Sequence, residues 1–207
     1  MRSVYSLVLS DEVIGKVDEL AFKKGVSRSQ FINDLLAESV GVDTERKRIQ
    51  DIFDEVADYV DGFANMRVQK RQQSAFDFLS ALNYKYSPRV TYSVDLFGGD
   101  KLSGELKIAL RTTNPVLISI TESFFNDFIE VEKTLGSGAD YSVRDGKLVR
   151  KLDFSSAVEH GKSVSVAITD YVRSLDLLFN LYVDSFGDGE KVMLYENYKK
   201  VKDKMCI

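Results

Sequence analysis

The chain has 207 residues, a hydrophobic fraction of 44%, a charged fraction of 29% and a formal net charge of -4. These values are typical of one or two globular domains and exclude an intrinsically disordered chain. One Cys and one His exclude a disulfide framework within the chain and a zinc site built from a single chain, so neither a metal nor a cofactor is expected. No apolar run reaches the roughly 20 residues of a membrane span and no signal peptide is recognised, which predicts a cytoplasmic protein.

The N-terminal segment predicts a short strand followed by a helix. The residues from Val4 to Leu9 are mainly β-branched and aliphatic, as in extended strands. Ser10 or Asp11 offers an N-cap, and Gly25 suits the left-handed conformation that ends many helices. The apolar stripe of this first helix is predicted to comprise Val13, Val17, Leu20 and Ala21.

A second helix is predicted after the turn, capped by Ser27. Its apolar stripe comprises Phe31, Ile32, Leu35, Leu36 and Val40. A unit of about 40 residues rarely buries enough apolar surface to fold without disulfides, a metal or a partner chain. Because the first two are excluded, the segment predicts a dimer.

The order of these elements resembles the ribbon-helix-helix family of DNA-binding proteins, the Arc, MetJ and CopG-type regulators. The most specific stretch is Gly-Val-Ser-Arg-Ser-Gln-Phe-Ile at residues 25–32, and the resemblance covers about a fifth of the chain. It implies that two strands, one from each protomer, pair into an antiparallel ribbon that enters the major groove of double-stranded DNA. It also implies that the second helix directs its N-terminus at a phosphate.

The resemblance carries over to specific residues. The positions that would contact phosphate are Val26, Ser27, Arg28 and Ser29, and those that would face the bases are Arg2, Val4, Ser6 and Val8. On the central strand positions only Ser6 offers a hydrogen-bonding group, and residues 1–48 contain eight basic and eight acidic side chains. Two interpretations therefore stay open. The ribbon is either a DNA reader that relies on the phosphate backbone and DNA shape, or a dimerisation device covered by protein.

Residues 43–84 predict a helical connector, either one long helix or two joined helices. Asp43 or Thr44 can cap it, and Gly62 interrupts the middle. Its apolar positions, spaced by three or four residues, are Ile49, Ile52, Phe53, Val56, Val60, Phe63, Phe76, Leu79 and Leu82. The basic stretch 67–71 is a candidate nucleic-acid surface or a solvated helix face.

Residues 85–207 predict a mixed α+β domain with antiparallel hairpins. Alternating patterns predict strands at 89–96 and 105–112, and the turn Asp145-Gly146 predicts a hairpin between 141–144 and 147–150. The segment 117–120 adds a strand or begins a helix that Asn114 and Pro115 would cap and start. Helices are predicted at 164–186 and 190–204.

The sequence thus predicts an α+β protein with a ribbon-helix-helix unit (1–42), a helical connector (43–84) and a C-terminal α+β domain (85–207). The expected function is a dimeric, sequence-specific DNA-binding transcriptional regulator, such as a repressor, whose C-terminal domain senses a ligand or supports oligomerisation up to a tetramer. The alternative is a protein-interaction or assembly factor, including antitoxin or DNA-transfer accessory roles, that uses the N-terminal unit mainly to dimerise. No catalytic constellation is recognised, so an enzyme is not expected.

Overall fold

The computed structural model describes residues 4–72, 74–99, 101–187 and 189–207. Over these residues the protein is mixed α+β, with seven α-helices and a six-stranded antiparallel sheet. The chain divides into two compact units, residues up to 48 and residues 49–207.

The first unit contains α1 (Asp11–Lys23) and α2 (Arg28–Ser39). Both begin at a serine cap, as the sequence predicts. The Ser10 hydroxyl accepts the N–H of Val13 at 3.4 Å, and the Ser27 hydroxyl accepts the N–H of Gln30 at 3.2 Å. Gly25, with φ of 62°, occupies the left-handed position after α1, where a side chain would be strained.

The prediction of an N-terminal ribbon-helix-helix unit is wrong. Residues 4–10, which include the expected strand, lie outside any helix or strand, and three helices precede the first strand of the chain. β-Branched residues favour an extended backbone, but a strand also needs a neighbour for its N–H and C=O groups. No strand of the described chain pairs with this segment.

Most of α3 (Glu45–Val60) belongs to the second unit. The strands are β1 (Met66–Gln72), β2 (Ala75–Ala81), β3 (Arg89–Phe97), β4 (Ser103–Leu110), β5 (Tyr141–Arg144) and β6 (Lys147–Asp153). Their order across the sheet is β1-β2-β3-β4-β6-β5, with every neighbouring pair antiparallel. The later helices are α4 (Pro115–Thr134), α5 (Ser155–Glu159), α6 (Val164–Asp184) and α7 (Glu190–Val201), followed by a 3-10 turn at Lys202–Lys204.

The expectation that helix continues to the end of the 43–84 connector is also wrong. The α-helix ends at Val60, and β1 and β2 form a hairpin where the second half was expected to be helical. The three-residue spacing of Phe76 and Leu79 favoured a helix, but the buried side chains of β2 include Phe76, Phe78 and Ser80, which follow the two-residue period of a strand.

The core lies on one face of the sheet. In β3 the side chains of Val90, Tyr92, Val94 and Leu96 are buried and alternate with partly exposed polar ones. Helices α4 and α6 contribute aromatic rings to this core, and Phe124 stacks on Phe179 with ring centroids 4.4 Å apart. The opposite face carries ion pairs between strands. This arrangement is a sheet with one apolar and one polar face.

The hairpin between β5 and β6 and the strands β3 and β4 are confirmed. Asp145 and Gly146 both have positive φ, 51° and 68°, as a tight hairpin turn requires. The segment 117–120, for which a strand or the start of a helix was predicted, is helical. The Asn114 side chain accepts the N–H groups of Val116 and Leu117, and Pro115 starts α4.

Gly104 in β4 leaves no room for a side chain. A Cβ at this position would lie 2.8 Å from the carbonyl oxygen of Asp95 and 3.2 Å from the Leu96 side chain. We expect Gly104→Ala to lower the free energy of unfolding by about 1–3 kcal/mol, measured by urea denaturation. Gly62→Ala is the control, because nothing lies within 4 Å of its Cβ position. Equal stability of the two variants would contradict this close packing.

Candidate functional site

The first unit buries only a small part of its apolar surface. Its core consists of Val17, Ala21 and Phe31, with Val26 and Ile32 partly buried against them. Two of the four residues of the first predicted stripe and three of the five of the second are left exposed, as with Leu20 at 41% and Leu36 at 51%. The other exposed apolar side chains of the two helices and their flanks are Val13, Phe22, Leu35, Val40 and Val42. We call Leu20, Leu35, Leu36 and Val40 the exposed stripe.

The predicted base-facing residues share no ordered face. Val4, Ser6 and Val8 are exposed in the segment before α1, together with Tyr5. Arg2 lies outside the described residues. Because this segment is not a strand, the alternation that assigned these side chains to a groove-facing side has no basis in the structure. What the segment does present is exposed apolar side chains.

The four predicted phosphate-contacting residues lie together at the start of α2. Ser27 is its N-cap, Arg28 and Ser29 are exposed in the first turn, and Val26 packs partly into the small core. The first N–H groups of a helix have no partner within the helix, and no acidic side chain occupies this turn. The turn can therefore accept an anion at its N–H groups.

The guanidinium of Arg28 is already engaged. Its Nε and Nη2 atoms donate to the two carboxylate oxygens of Asp18 at 2.6 and 2.5 Å. The hydrogen bond from Arg28 lowers the pKa of the Asp18 carboxyl. Both side chains are half-exposed, so the pair contributes little to stability. It does neutralise the cation that was expected to meet a phosphate.

The basic stretch 67–71 lies on β1, at one edge of the sheet, rather than on a helix. Arg71 pairs with Asp77 at 3.1 Å and with Asp95 at 2.8 Å. The Lys70 ammonium donates to Gln50 and lies 5.1 Å from the centroid of the Phe53 ring. Lys70 and Arg71 are therefore bound by other side chains of the protein, which disfavours a nucleic-acid surface at this stretch.

A buried charged cluster, which the sequence analysis did not identify, lies between α4, α6, α7 and the sheet. The Glu132 carboxylate is fully buried and accepts four hydrogen bonds. The donors are Tyr141 OH, Tyr171 OH at 2.9 Å, Tyr198 OH at 2.8 Å and Arg150 Nε at 3.1 Å. We call these five residues the Glu132 cluster.

Both Nη atoms of Arg150 also have acceptors. Its Nη2 donates to the main-chain oxygen of Ile207 at 2.5 Å and its Nη1 to that of Lys151 at 3.2 Å. The guanidinium carbon lies 4.6 Å from the centroid of the Tyr171 ring. Burial raises the pKa of Tyr141 to about 12, which keeps its hydroxyl protonated as a donor. The four hydrogen bonds on the buried Glu132 carboxylate make this a structural cluster.

Clefts open on the described part of the second unit. One, of about 930 Å³, includes Arg150, His160, Tyr198 and Cys206 in its wall. Another, of about 690 Å³, is bounded by the end of β2 and the middle of α6, with Arg173 and Asp176 facing it. The first of these lies beside the Glu132 cluster, whereas the second contains Arg173 and Asp176, which form no ion pair with any of the described residues.

Neither a metal nor a membrane is indicated by the described residues. No group of three His, Cys, Asp or Glu side chains there is arranged to hold a metal ion. No helix in the same part of the chain combines the length and the apolar character needed to cross a membrane. Comparisons with known protein families, with curated proteins and with solved structures found no match.

Proposed function

We propose that the protein is a homodimeric DNA-binding transcriptional regulator whose first unit joins two copies of the chain. The observation that carries this proposal is the unpartnered apolar surface of that unit. Three buried residues form its own core, while the exposed stripe and the segment 4–9 remain in contact with water. An exposed patch of this kind on so small a unit marks a protein interface.

The N-terminal turn of α2 supports contact with DNA. Its N–H groups, together with the hydroxyls of Ser27 and Ser29, offer donors to a phosphate oxygen at an exposed helix end. In a homodimer this turn occurs twice, so two phosphates can be contacted at once. The proposal includes no base contact from residues 4–9, because those assignments depended on a strand that does not form.

An interaction or assembly factor is the second candidate, favoured by the charge balance of the first unit. Its eight basic and eight acidic residues cancel, and the Arg28 guanidinium is held by Asp18. Nonspecific affinity for DNA comes mainly from phosphate neutralisation by cations. In this case the first unit dimerises the chain without binding nucleic acid.

A mobility-shift titration with fragments of the protein's own promoter separates the two candidates. We expect a complex whose affinity falls steeply as salt is added. Unlabelled promoter DNA should displace the labelled fragment from it at lower concentration than unrelated DNA does. Absence of a complex at low salt would exclude the DNA-binding regulator. If the protein is dimeric in the same buffer, the assembly factor is then the remaining candidate.

The Asp18–Arg28 pair gives a more specific prediction. Asp18→Asn releases the guanidinium, so we expect DNA affinity to rise by about two- to fivefold at low salt. Adding Arg28→Gln to Asp18→Asn is expected to remove this gain on all sequences and to reduce the salt slope by about 1 relative to Asp18→Asn alone. Glu12→Gln is the control, because it removes the same charge from an exposed position of α1. An equal gain from Asp18→Asn and Glu12→Gln would show a general charge effect and contradict the role of Arg28.

A further inference from the structure

The 690 Å³ cleft of the second unit is of a size that holds a small molecule. One wall is α6, from Asp170 to Asn180, and the other is the end of β2 with the turn that follows it. All of its lining residues belong to the second unit, and none belongs to the Glu132 cluster.

The carboxylate of Asp176 lies partly buried in this cleft without a cation. Its Oδ1 accepts the hydroxyl of Tyr92 at 2.8 Å, and among the described residues it forms no ion pair. Burial raises the pKa of the Asp176 carboxyl, with the hydrogen bond from Tyr92 acting in the opposite direction. The buried hydroxyl of Ser80 lies near the same carboxylate. A partly buried charge in this state is stabilised by a cation that enters the cleft.

Arg173 supplies a positive charge to the same cleft, three residues before Asp176 on α6. Side chains at this spacing are neighbours on one helix face, so the two could pair. Instead, the Arg173 guanidinium lies 4.2 Å from the centroid of the Phe63 ring, and it forms no ion pair with any described residue. Its planar donor fork is therefore held in place by stacking and remains available to a carboxylate.

The turn after β2 fixes the other wall. Tyr86 and Ser87 both have positive φ, 68° and 44°, a conformation that non-glycine residues rarely adopt. Asn83 is tied to α6, because its N–H donates to Asn180 Oδ1 at 2.6 Å and its side chain donates to Asp184. Such strain persists where the surroundings impose it, and it often accompanies a binding site.

We propose that this cleft binds a small zwitterion of the α-amino acid class, with its ammonium at Asp176 and its carboxylate at Arg173. Arg173 and Asp176 lie on one helix face, remain unpaired with each other and match the two charges of such a ligand. The other charged residues of the cleft are Asp170, which pairs with Lys162 at 3.4 Å, and Lys204. A simple amine would leave Arg173 without its partner, and a simple carboxylic acid would leave Asp176 without its own. This inference does not depend on DNA binding or on dimerisation.

The test is thermal unfolding of the full chain in the presence of each of the common L-amino acids and of dialanine, at millimolar concentration. We expect at least one of these zwitterions to raise the midpoint by about 2–4 °C when its concentration is about five times Kd. Propylamine and propionate, each carrying one of the two charges, should give no shift. Binding of dialanine but of no free amino acid would place the site among those for short peptides, within the same proposed chemistry.

Calorimetric titration of variants then locates the site. Asp176→Asn keeps an acceptor for Tyr92 but removes the charge, and we expect it to weaken the binding by about 10–100-fold, as should Arg173→Gln. Glu122→Gln, an exposed carboxylate on α4 outside the cleft, should bind as the parent chain does. The proposal is overturned if no zwitterion binds the parent chain, if propylamine or propionate binds equally well, or if Asp176→Asn retains the affinity.

Discussion

Glu132→Ala is expected to lower the free energy of unfolding by about 3–5 kcal/mol, a large part of the stability of an ordinary domain. The substitution leaves Arg150, which is 2% exposed, as a buried cation without its counter-charge. It also removes the carboxylate that accepts three tyrosine hydroxyls, among them those of Tyr198 at 2.8 Å and Tyr171 at 2.9 Å. Because the cluster joins α4, α6, α7 and the sheet, we expect the loss to affect the whole second unit.

The measurement is urea denaturation followed by circular dichroism, with Glu130→Ala as the matched control. Glu130 lies two residues away on the same helix, is exposed and pairs with Lys191 at 2.8 Å. Because exposed ion pairs contribute little, its removal should change the stability by at most about 1 kcal/mol. If Glu132→Ala is no less stable than Glu130→Ala, the Glu132 cluster does not hold the second unit together.

Leu36→Asp is expected to convert the homodimer into a monomer, with a dissociation constant raised at least about 100-fold, or about 2.8 kcal/mol. Leu36 lies in α2, is 51% exposed in the single chain and belongs to the exposed stripe. In a dimer that buries this stripe, the substitution removes an apolar contact and places a carboxylate in the interface. It leaves the Val17, Ala21 and Phe31 core of the single chain intact, so the monomer should remain folded.

Asn33→Asp is the control for this change, because it adds the same negative charge to an exposed position of the same helix. We expect it to stay dimeric in analytical ultracentrifugation over the concentration range in which Leu36→Asp sediments as a monomer. Dimers of equal affinity for both variants would place the interface away from the exposed stripe.

Local signals made part of the fold predictable. The β5–β6 hairpin follows from the turn Asp145-Gly146, whose backbone has the positive φ angles that this dipeptide favours. The helix caps at Ser10, Ser27 and Asn114 follow from side chains that satisfy the first N–H groups of a helix. These features involve residues within a few positions of one another, so the sequence pattern contains the information that decides them.

The two incorrect predictions arose where a local pattern needed a distant partner. Val4 to Leu9 have the composition of a strand, but no other strand of the described chain pairs with them. In β2, Phe76 and Leu79 suggested a helical period, whereas pairing with β1 and β3 places Phe76 and Phe78 on the same buried face. Secondary structure there is decided by tertiary pairing rather than by propensity.

The candidate sites of the second unit were not predictable for a related reason. Glu132 meets Tyr171 and Tyr198 across separations of 39 and 66 residues, and Tyr92 meets Asp176 across 84. Single acidic and tyrosine residues at such distances form no motif. By contrast, the prediction that the first unit needs a partner required only its length and its apolar stripes. Part of those stripes is exposed in the single chain, and the partner stays a prediction.

The measurement that tests the central proposal most directly is the mass of the full chain in solution, alone and with a promoter duplex, by light scattering after size exclusion. We predict twice the 23.4 kDa mass of one chain in the absence of DNA, and two chains on each duplex in its presence. A mass of one chain at micromolar concentration, with the duplex eluting unbound, would contradict both the proposed dimer and the proposed DNA binding.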